Sequence, residues 1–202
     1  MILTSFDAIS PLYDFFETYI LKDYQGSLEL ISKYLHPNQQ DIIVDIGGGT
    51  GYFAKYLEPQ VKQVIVIDPS LKMLQKITKH SIEKIWGTAE NISISNNSVD
   101  KVVLINTLHH IPREYHKLVL EEIYRILKTQ GQLFIIEVQP NTSNIQKIFL
   151  KLEELITGAT YHLNTKQLKK QLKTCGFNLD NIISPSDHNW KYVVLAKKDK
   201  LI

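Results

Sequence analysis

The sequence predicts an α/β fold, a parallel β-sheet with helices covering both faces. Three observations carry that prediction. Short, nearly uninterrupted Val/Ile runs alternate with amphipathic stretches from residue 42 onward. These runs lack the polar alternation of a sheet with one wet face, so both faces must be covered. A glycine-rich turn follows the first run directly and joins it to a helical pattern, the arrangement of a strand feeding a helix.

The elements follow in order. Residues 42–46 are apolar apart from Asp45 and read as a buried strand; residues 64–67 give a second, ending at Asp68. Residues 101–105, around Val102, Val103 and Leu104, give a third, and residues 133–138, with Phe134, Ile135 and Ile136, a fourth. Residues 70–79 carry Leu71, Leu74 and Ile77 at helical spacing. Pro112 suits a first helical turn, after which Tyr115, Leu118, Val119, Ile123, Ile126 and Leu127 recur until Gly131 closes the unit. Such alternation calls for right-handed crossovers. Residues 8–35 hold two amphipathic helical stretches, the first opening at Ser10 and Pro11 and weighted by Phe15, Phe16, Tyr19 and Ile20. Residues 145–157 and 166–175 read as helices, and 179–184 and 191–197 as strands.

A chain of 202 residues fits one domain with a substantial core. A net charge of +2 is too small to make nucleic acid the default partner. Cys175 is the single cysteine, which excludes an internal disulfide and a multi-cysteine metal site. The first residues show neither a basic leader nor an apolar core of a signal, and no apolar run approaches the roughly 20 residues that span a bilayer. The expected location is the cytoplasm. Nothing in the sequence specifies an oligomeric state.

The most informative stretch runs from Val44 to Phe53: Val-Asp-Ile-Gly-Gly-Gly-Thr-Gly-Tyr-Phe. Gly47, Gly49 and Gly51 let the chain turn tightly and let a ligand lie against bare backbone. A dinucleotide fingerprint requires G-x-G-x-x-G. From Gly47 its third glycine falls on Tyr52, and from Gly49 on Ala54, which the fingerprint tolerates but which leaves the preceding acid unexplained. The spacing present is G-x-G-x-G with Asp45 two residues ahead. Asp68, at the tip of the second strand, is placed to accept hydrogen bonds from ribose hydroxyls; a capping aspartate before Pro69 and Ser70 is the plainer alternative.

With these residues the chain resembles class I S-adenosylmethionine-dependent methyltransferases, in particular the ubiquinone and menaquinone biosynthesis C-methyltransferases. Four further blocks carry the likeness in order: residues 67–74, residues 87–92 with 97–100, residues 106–111, and residues 123–131. The resemblance implies a Rossmann-like seven-stranded sheet of order 3-2-1-4-5-7-6 with strand 7 antiparallel. It implies an N-terminal helical lid or flank over residues 1–38, a cofactor-binding core over 39–138, and a substrate-facing insert with C-terminal strands over 139–202. By the same resemblance S-adenosylmethionine lies at the switch point of the sheet and leaves as S-adenosylhomocysteine, with no metal. Gly47 and Gly49 pass beneath its methionine part, Asp68 holds the ribose and Met73 flanks the adenine, with Asp45, Gly51 and Pro69 also among the cofactor-binding residues. Thr88, Ala89 and Glu90 line the adenine edge, Asn106 and Leu108 end the fourth strand beside the cofactor, and Tyr13 belongs to an aromatic segment that closes over it. Position 88 is often aspartate in that family; Thr88 offers a neutral and weaker acceptor, with Glu90 as the substitute.

Methyl transfer from a sulfonium is an in-line displacement, and positioning supplies much of its acceleration. A base is required only for a hydroxyl or weak carbon acid. His109 and His110 follow the third apolar strand and are the candidates for that role, against the alternative that both are structural; their adjacency does not match the i, i+4 spacing of a helical zinc pair. Tyr13, Tyr161 and His162 are candidates for an acceptor pocket, against the plainer alternative of ordinary packing. Lys166, Lys169, Lys170 and Lys173 form a solvated helix face, with attraction of an anionic substrate or peripheral membrane contact as the sharper alternative. The implied function is methyl transfer to a small-molecule or lipid-like acceptor. A non-catalytic methyltransferase-like binding module, an RNA methyltransferase and a nicotinamide-dependent oxidoreductase are the competing readings.

Overall fold

The computed structural model describes residues 24–138, 151, 154, 158, 160–184 and 191–199. Helix α1 covers residues 24–34. Strand β1 (Ile42–Ile46), helix α2 (Tyr52–Leu57), strand β2 (Gln63–Asp68), helix α3 (Leu71–Gln75), strand β3 (Ile82–Trp86) and strand β4 (Val99–Ile105) follow. Helix α4 (Arg113–Ile126), strand β5 (Leu127–Val138), helix α5 (Thr165–Thr174) and strands β6 (Phe177–Ile183) and β7 (Lys191–Lys198) complete the described chain. Short 3₁₀ turns lie at Glu58–Gln60 and Leu108–His110.

The strands form one seven-stranded sheet of order β3-β2-β1-β4-β5-β7-β6. β1 pairs in parallel with both β2 and β4, β2 with β3, and β4 with β5, whereas β7 runs antiparallel to β5 and β6. The order implied by the family resemblance is therefore present.

Period-two alternation divides the apolar runs between two cores. Val44, Ile46, Val102, Leu104, Leu133 and Ile135 face one side, where Val119, Leu120, Ile123 and Ile126 of α4 and Leu168 and Leu172 of α5 cover them. Ile43, Val64, Val66, Val103, Ile105, Phe134 and Ile136 face the other, under Leu30 and Ile31 of α1 and Phe53, Ala54 and Leu57 of α2. Both faces of the inner strands β1, β2 and β4 are dry, which is why those strands carry few polar residues.

Three elements differ from the sequence reading. β3 was absent from it, because only Ile82 of the strand is buried and Glu83, Lys84 and Trp86 are exposed; an edge strand carrying charge has no apolar run to reveal it. The helix expected over 70–79 is one turn, with Ser70 as its N-cap, Oγ accepting from the N–H of Met73 at 3.2 Å. β5 begins at Leu127, whose position also fits the apolar spacing of the preceding helix. Leu127 pairs with Val99, the chain then makes a bulge, and Lys101 pairs with Gln132. The first helix expected within residues 8–35, the helix over 145–157 and Tyr13 lie outside or largely outside the described residues.

Candidate cofactor and acceptor site

β1, β2 and β4 end side by side, and β1 is the strand at which the connections change direction, the place where open α/β sheets bind ligands. Gly47, Gly49 and Gly51 have φ of +70°, +53° and +73°, the left-handed region that penalises any side chain. The turn is held by its backbone: Gly47 N–H donates to Ile67 O at 2.7 Å and Gly51 N–H to Gly48 O at 2.8 Å. A Cβ on Gly47 would stand 2.3 Å from Cγ2 of Thr107, so the ends of β1 and β4 meet there without room for a methyl group.

Two acids lie beneath and beside the turn. Asp68 accepts the N–H of Gly49 at Oδ2 (2.9 Å) and that of Ser70 at Oδ1 (2.8 Å), linking the turn to the end of β2. Asp45 is 1% exposed and its Oδ2 has no hydrogen-bond partner; a Cβ on Gly48 would lie 2.6 Å from that oxygen. Burial, and then the charge of Asp68, push the Asp45 carboxyl up to about 7.

The remaining sequence candidates surround this turn. Pro69 follows Asp68, and its carbonyl accepts the indole N–H of Trp86 at 2.9 Å. Met73 is buried in α3; in the segment that leaves β3, Thr88 is exposed, Ala89 buried and Glu90 half-buried, and Gly87 N–H donates to Asp68 O at 3.2 Å. Asn106 takes φ +52° at the end of β4, and its N–H donates to Ile136 O. Leu108 is buried in the 3₁₀ turn with His109, while His110 is half-buried. Arg125 of α4 braces the segment after Glu90, donating to the carbonyls of Ile92 and Ile94 while paired with Glu122.

Glu137 was not singled out in the sequence. It is the last residue but one of β5, 3% exposed, and its Oε2 lies 2.6 Å from Nδ1 of His109. The signal was present: an acid at the carboxyl end of an apolar run, the pattern that marked Asp45 and Asp68. His162 stacks on His109 with ring centroids 4.9 Å apart, and Tyr161 N–H donates to His109 O at 2.6 Å. The segment before α5 thus brings two more sequence candidates to His109. A shallow depression lined by Asp100, Lys128 and Gln130 lies at the opposite edge of the sheet. Among the described residues no group of three or more His, Cys, Asp or Glu is arranged to hold a metal ion, and no helix is long and apolar enough to cross a membrane.

Residues 44–135 match the family described as a methyltransferase domain, a stretch that includes the ends of β1, β2 and β4 but stops short of Glu137. That match covers 92 of the 202 residues, and the sheet order is the one that the methyltransferase resemblance implies. A demethylmenaquinone methyltransferase of Listeria monocytogenes is 30% identical to it over 156 residues, 71% of this chain and 65% of that protein. The chain therefore spans just under two thirds of that relative. Among solved structures, this chain is similar to a chain of a Haloferax volcanii complex between a methyltransferase activator and a methyltransferase, with TM-score 0.81 and 16% identity, covering 99% of this chain and 100% of that one. It also superposes on a Thermotoga maritima S-adenosylmethionine-dependent methyltransferase with TM-score 0.78 and 22% identity, covering 96% and 99%. At such identities these two likenesses speak for the fold alone.

Proposed function

We propose that this chain transfers the methyl group of S-adenosylmethionine to a small-molecule or lipid-like acceptor, in the cytoplasm and without a metal. The observation that carries the reading is the turn of three left-handed glycines whose middle N–H is fixed by Asp68. It is supported by the family match and by the quinone-type acceptor named for the Listeria relative. The buried, unpartnered Oδ2 of Asp45 and the open space at Gly49, where a Cβ would meet only Asp68 Oδ2 at 4.0 Å, suit a ligand lying against backbone.

In this reading Gly47, Gly49 and Gly51 receive the methionine part and Asp68 the ribose hydroxyls, which share its carboxylate with two backbone N–H groups. Pro69, Met73, Thr88, Ala89 and Glu90 take the adenine, with Thr88 or Glu90 accepting from its amino group. Asn106 and Leu108 close the side nearest the acceptor. Bound there, the cofactor supplies an electrophilic methyl group on a cationic sulfur. The protein's part is to align it with the acceptor and exclude water.

Calorimetric titration of the chain with S-adenosylmethionine, S-adenosylhomocysteine and NADH tests this. Both adenosyl compounds bind and NADH does not. Binding of NADH alone overturns the assignment, and binding of none leaves a module without a cofactor.

A further inference from the structure

Helix α5 is firmly seated. Leu168 and Leu172 are fully buried, and Asn164 caps the start of the helix in a reciprocal pair with Gln167, at 2.9 and 3.0 Å. Its outer face carries four exposed lysines, Lys166, Lys169, Lys170 and Lys173, and the helix contains no acid. At 3.6 residues per turn the four fall within one arc of about 100°. Each neighbouring pair on that arc, three or four residues apart, joins like charges, and such pairs weaken a helix. Lys166 also stands in the first turn, where the helix dipole disfavours a cation. A face serving solubility alone would intersperse both signs. This one concentrates a single sign against the stability of its own helix.

Among the described residues no carboxylate pairs with any of the four lysines. On α4 and β6, which pack against α5, Glu121 faces Lys117 at 3.4 Å, Glu122 is held by Arg125, and Asp180 is held by Lys197 at 2.8 Å. A cleft of about 310 Å³ between α4 and α5, lined by Lys117, Gln167, Lys170, Gln171 and Thr174, continues the charged face. Oε1 of Gln171 is buried there without a partner, an acceptor that a hydroxyl satisfies. Two ammonium groups beside that acceptor suit a phosphodiester that carries hydroxyl groups. The helix begins directly after Tyr161 and His162, whose contacts with His109 place them at the carboxyl ends of the strands. The lysine face therefore starts on the side of the sheet to which the cofactor is assigned.

We propose that the lysine face of α5, with its cleft against α4, docks this chain on an anionic phospholipid membrane and so brings the site to the surface in which a lipid-like acceptor is dissolved. This rests on the methyltransferase reading with such an acceptor. Lysine is a compact point charge and suits the diffuse field of a lipid surface. A nucleic acid is met by arginine forks and aromatic stacking, and α5 has neither residue type. A net charge of +2 adds no wider basic field for a polyanion. Each lysine at an anionic surface strengthens binding about fivefold, and four together about 500-fold. Attachment of that size is reversible and weakened by salt, so the chain exchanges between membrane and cytoplasm.

Sedimentation of the full chain with lipid vesicles tests this. Vesicles of phosphatidylcholine mixed with phosphatidylglycerol carry the chain down, vesicles of phosphatidylcholine alone do not, and binding falls as salt is raised. Lys169→Gln/Lys173→Gln on the face and Lys117→Gln/Lys170→Gln at the cleft each weaken binding about tenfold or more. Lys33→Gln/Lys62→Gln removes the same net charge from exposed positions in α1 and before β2, and binds within about twofold of wild type. All six side chains are exposed, so the three variants keep their fold, which circular dichroism reads. Equal binding to both kinds of vesicle, binding to neither, or an equal loss in the Lys33 and Lys62 variant overturns the docking surface. Binding of polyuridylic acid that the α5 variants abolish, with no binding to vesicles, overturns it in favour of a nucleic acid. Vesicle binding needs no cofactor, so failure of the same wild-type chain to bind S-adenosylmethionine overturns the methyltransferase reading separately.

Discussion

The backbone N–H of Gly49 donates to Oδ2 of Asp68 across 2.9 Å, so the acid that ends β2 holds the turn that follows β1. Its other oxygen accepts from Ser70 and fixes the start of α3. Asp68 therefore joins three segments around the place where the ribose is assigned. Asp68→Ala removes both the backbone acceptor and the ribose acceptor, and hydrogen bonds to a charged group are worth about 1.5–3 kcal/mol each. Affinity for S-adenosylmethionine should fall about 100-fold by calorimetry. Asp68→Asn keeps an oxygen for Gly49 and should lose about tenfold. Unchanged affinity in the alanine variant would sink the ribose assignment.

Gly47 combines a left-handed φ with a neighbour in the way. Gly47→Ala places a methyl group 2.3 Å from Thr107 Cγ2 and 2.7 Å from its Oγ1, at φ +70°. Left-handed strain costs about 1–2 kcal/mol and overpacking about 1–3. A loss of about 2–4 kcal/mol in urea unfolding is expected. Thr107→Ala removes both offending atoms and leaves Cβ at 3.1 Å, so the double variant should regain the packing share and retain the backbone share. Additive losses in that cycle would show that the contact is relieved elsewhere.

These two relationships mark what one-dimensional pattern conveys and what it does not. Gly47, Asp45 and Asp68 stood out because special backbone geometry and isolated acids in apolar runs leave a trace at single positions. The inner strands were equally plain, since Val64–Ile67 and Val102–Ile105 are buried on both faces. β3 left no such trace: four of its five side chains are not buried. Glu137 did leave one, but its meaning depends on the N–H groups of Thr107 and Leu108 and on a ring 28 residues away, and no local spacing encodes that meeting. The same holds for Tyr161 and His162, which reach His109 only because α5 docks beside α4.

Gln130 occupies a glycine's conformation, φ +65°, in the bulge between Leu127 and Gln132. Its side chain offers only a 3.4 Å contact to Lys198 O in return. Gln130→Gly should stabilise the fold by about 0.5–1 kcal/mol, the left-handed strain relieved less the added freedom of the unfolded chain. Gln130→Pro forces φ toward about −65° and should destabilise it by about 3 kcal/mol. Thermal unfolding of the two variants checks the pair; a shift in the same direction for both would refute the strain.

Asp45 couples stability to pH with an uncommon sign. Its carboxyl is raised from 3.8 to about 7 by burial first and by Asp68 second, so the folded state holds a proton that the unfolded chain has released. The contribution is full below about 3.8 and disappears as pH rises through about 7. Asp45→Asn is neutral at every pH and escapes that loss. Its advantage over wild type in urea unfolding should grow by about 2–3 kcal/mol between pH 5 and pH 8. Equal effects at both values would place the proton elsewhere. The same carboxyl lies beneath the turn assigned to a cationic donor, and a cation favours its ionised form. Binding of S-adenosylmethionine at pH 7 should therefore release up to about half a proton, read as a dependence of the binding heat on buffer ionisation enthalpy. The neutral thioether S-adenosylhomocysteine should release less, and Asp45→Asn should remove the difference; its persistence in that variant would assign the released proton to another group.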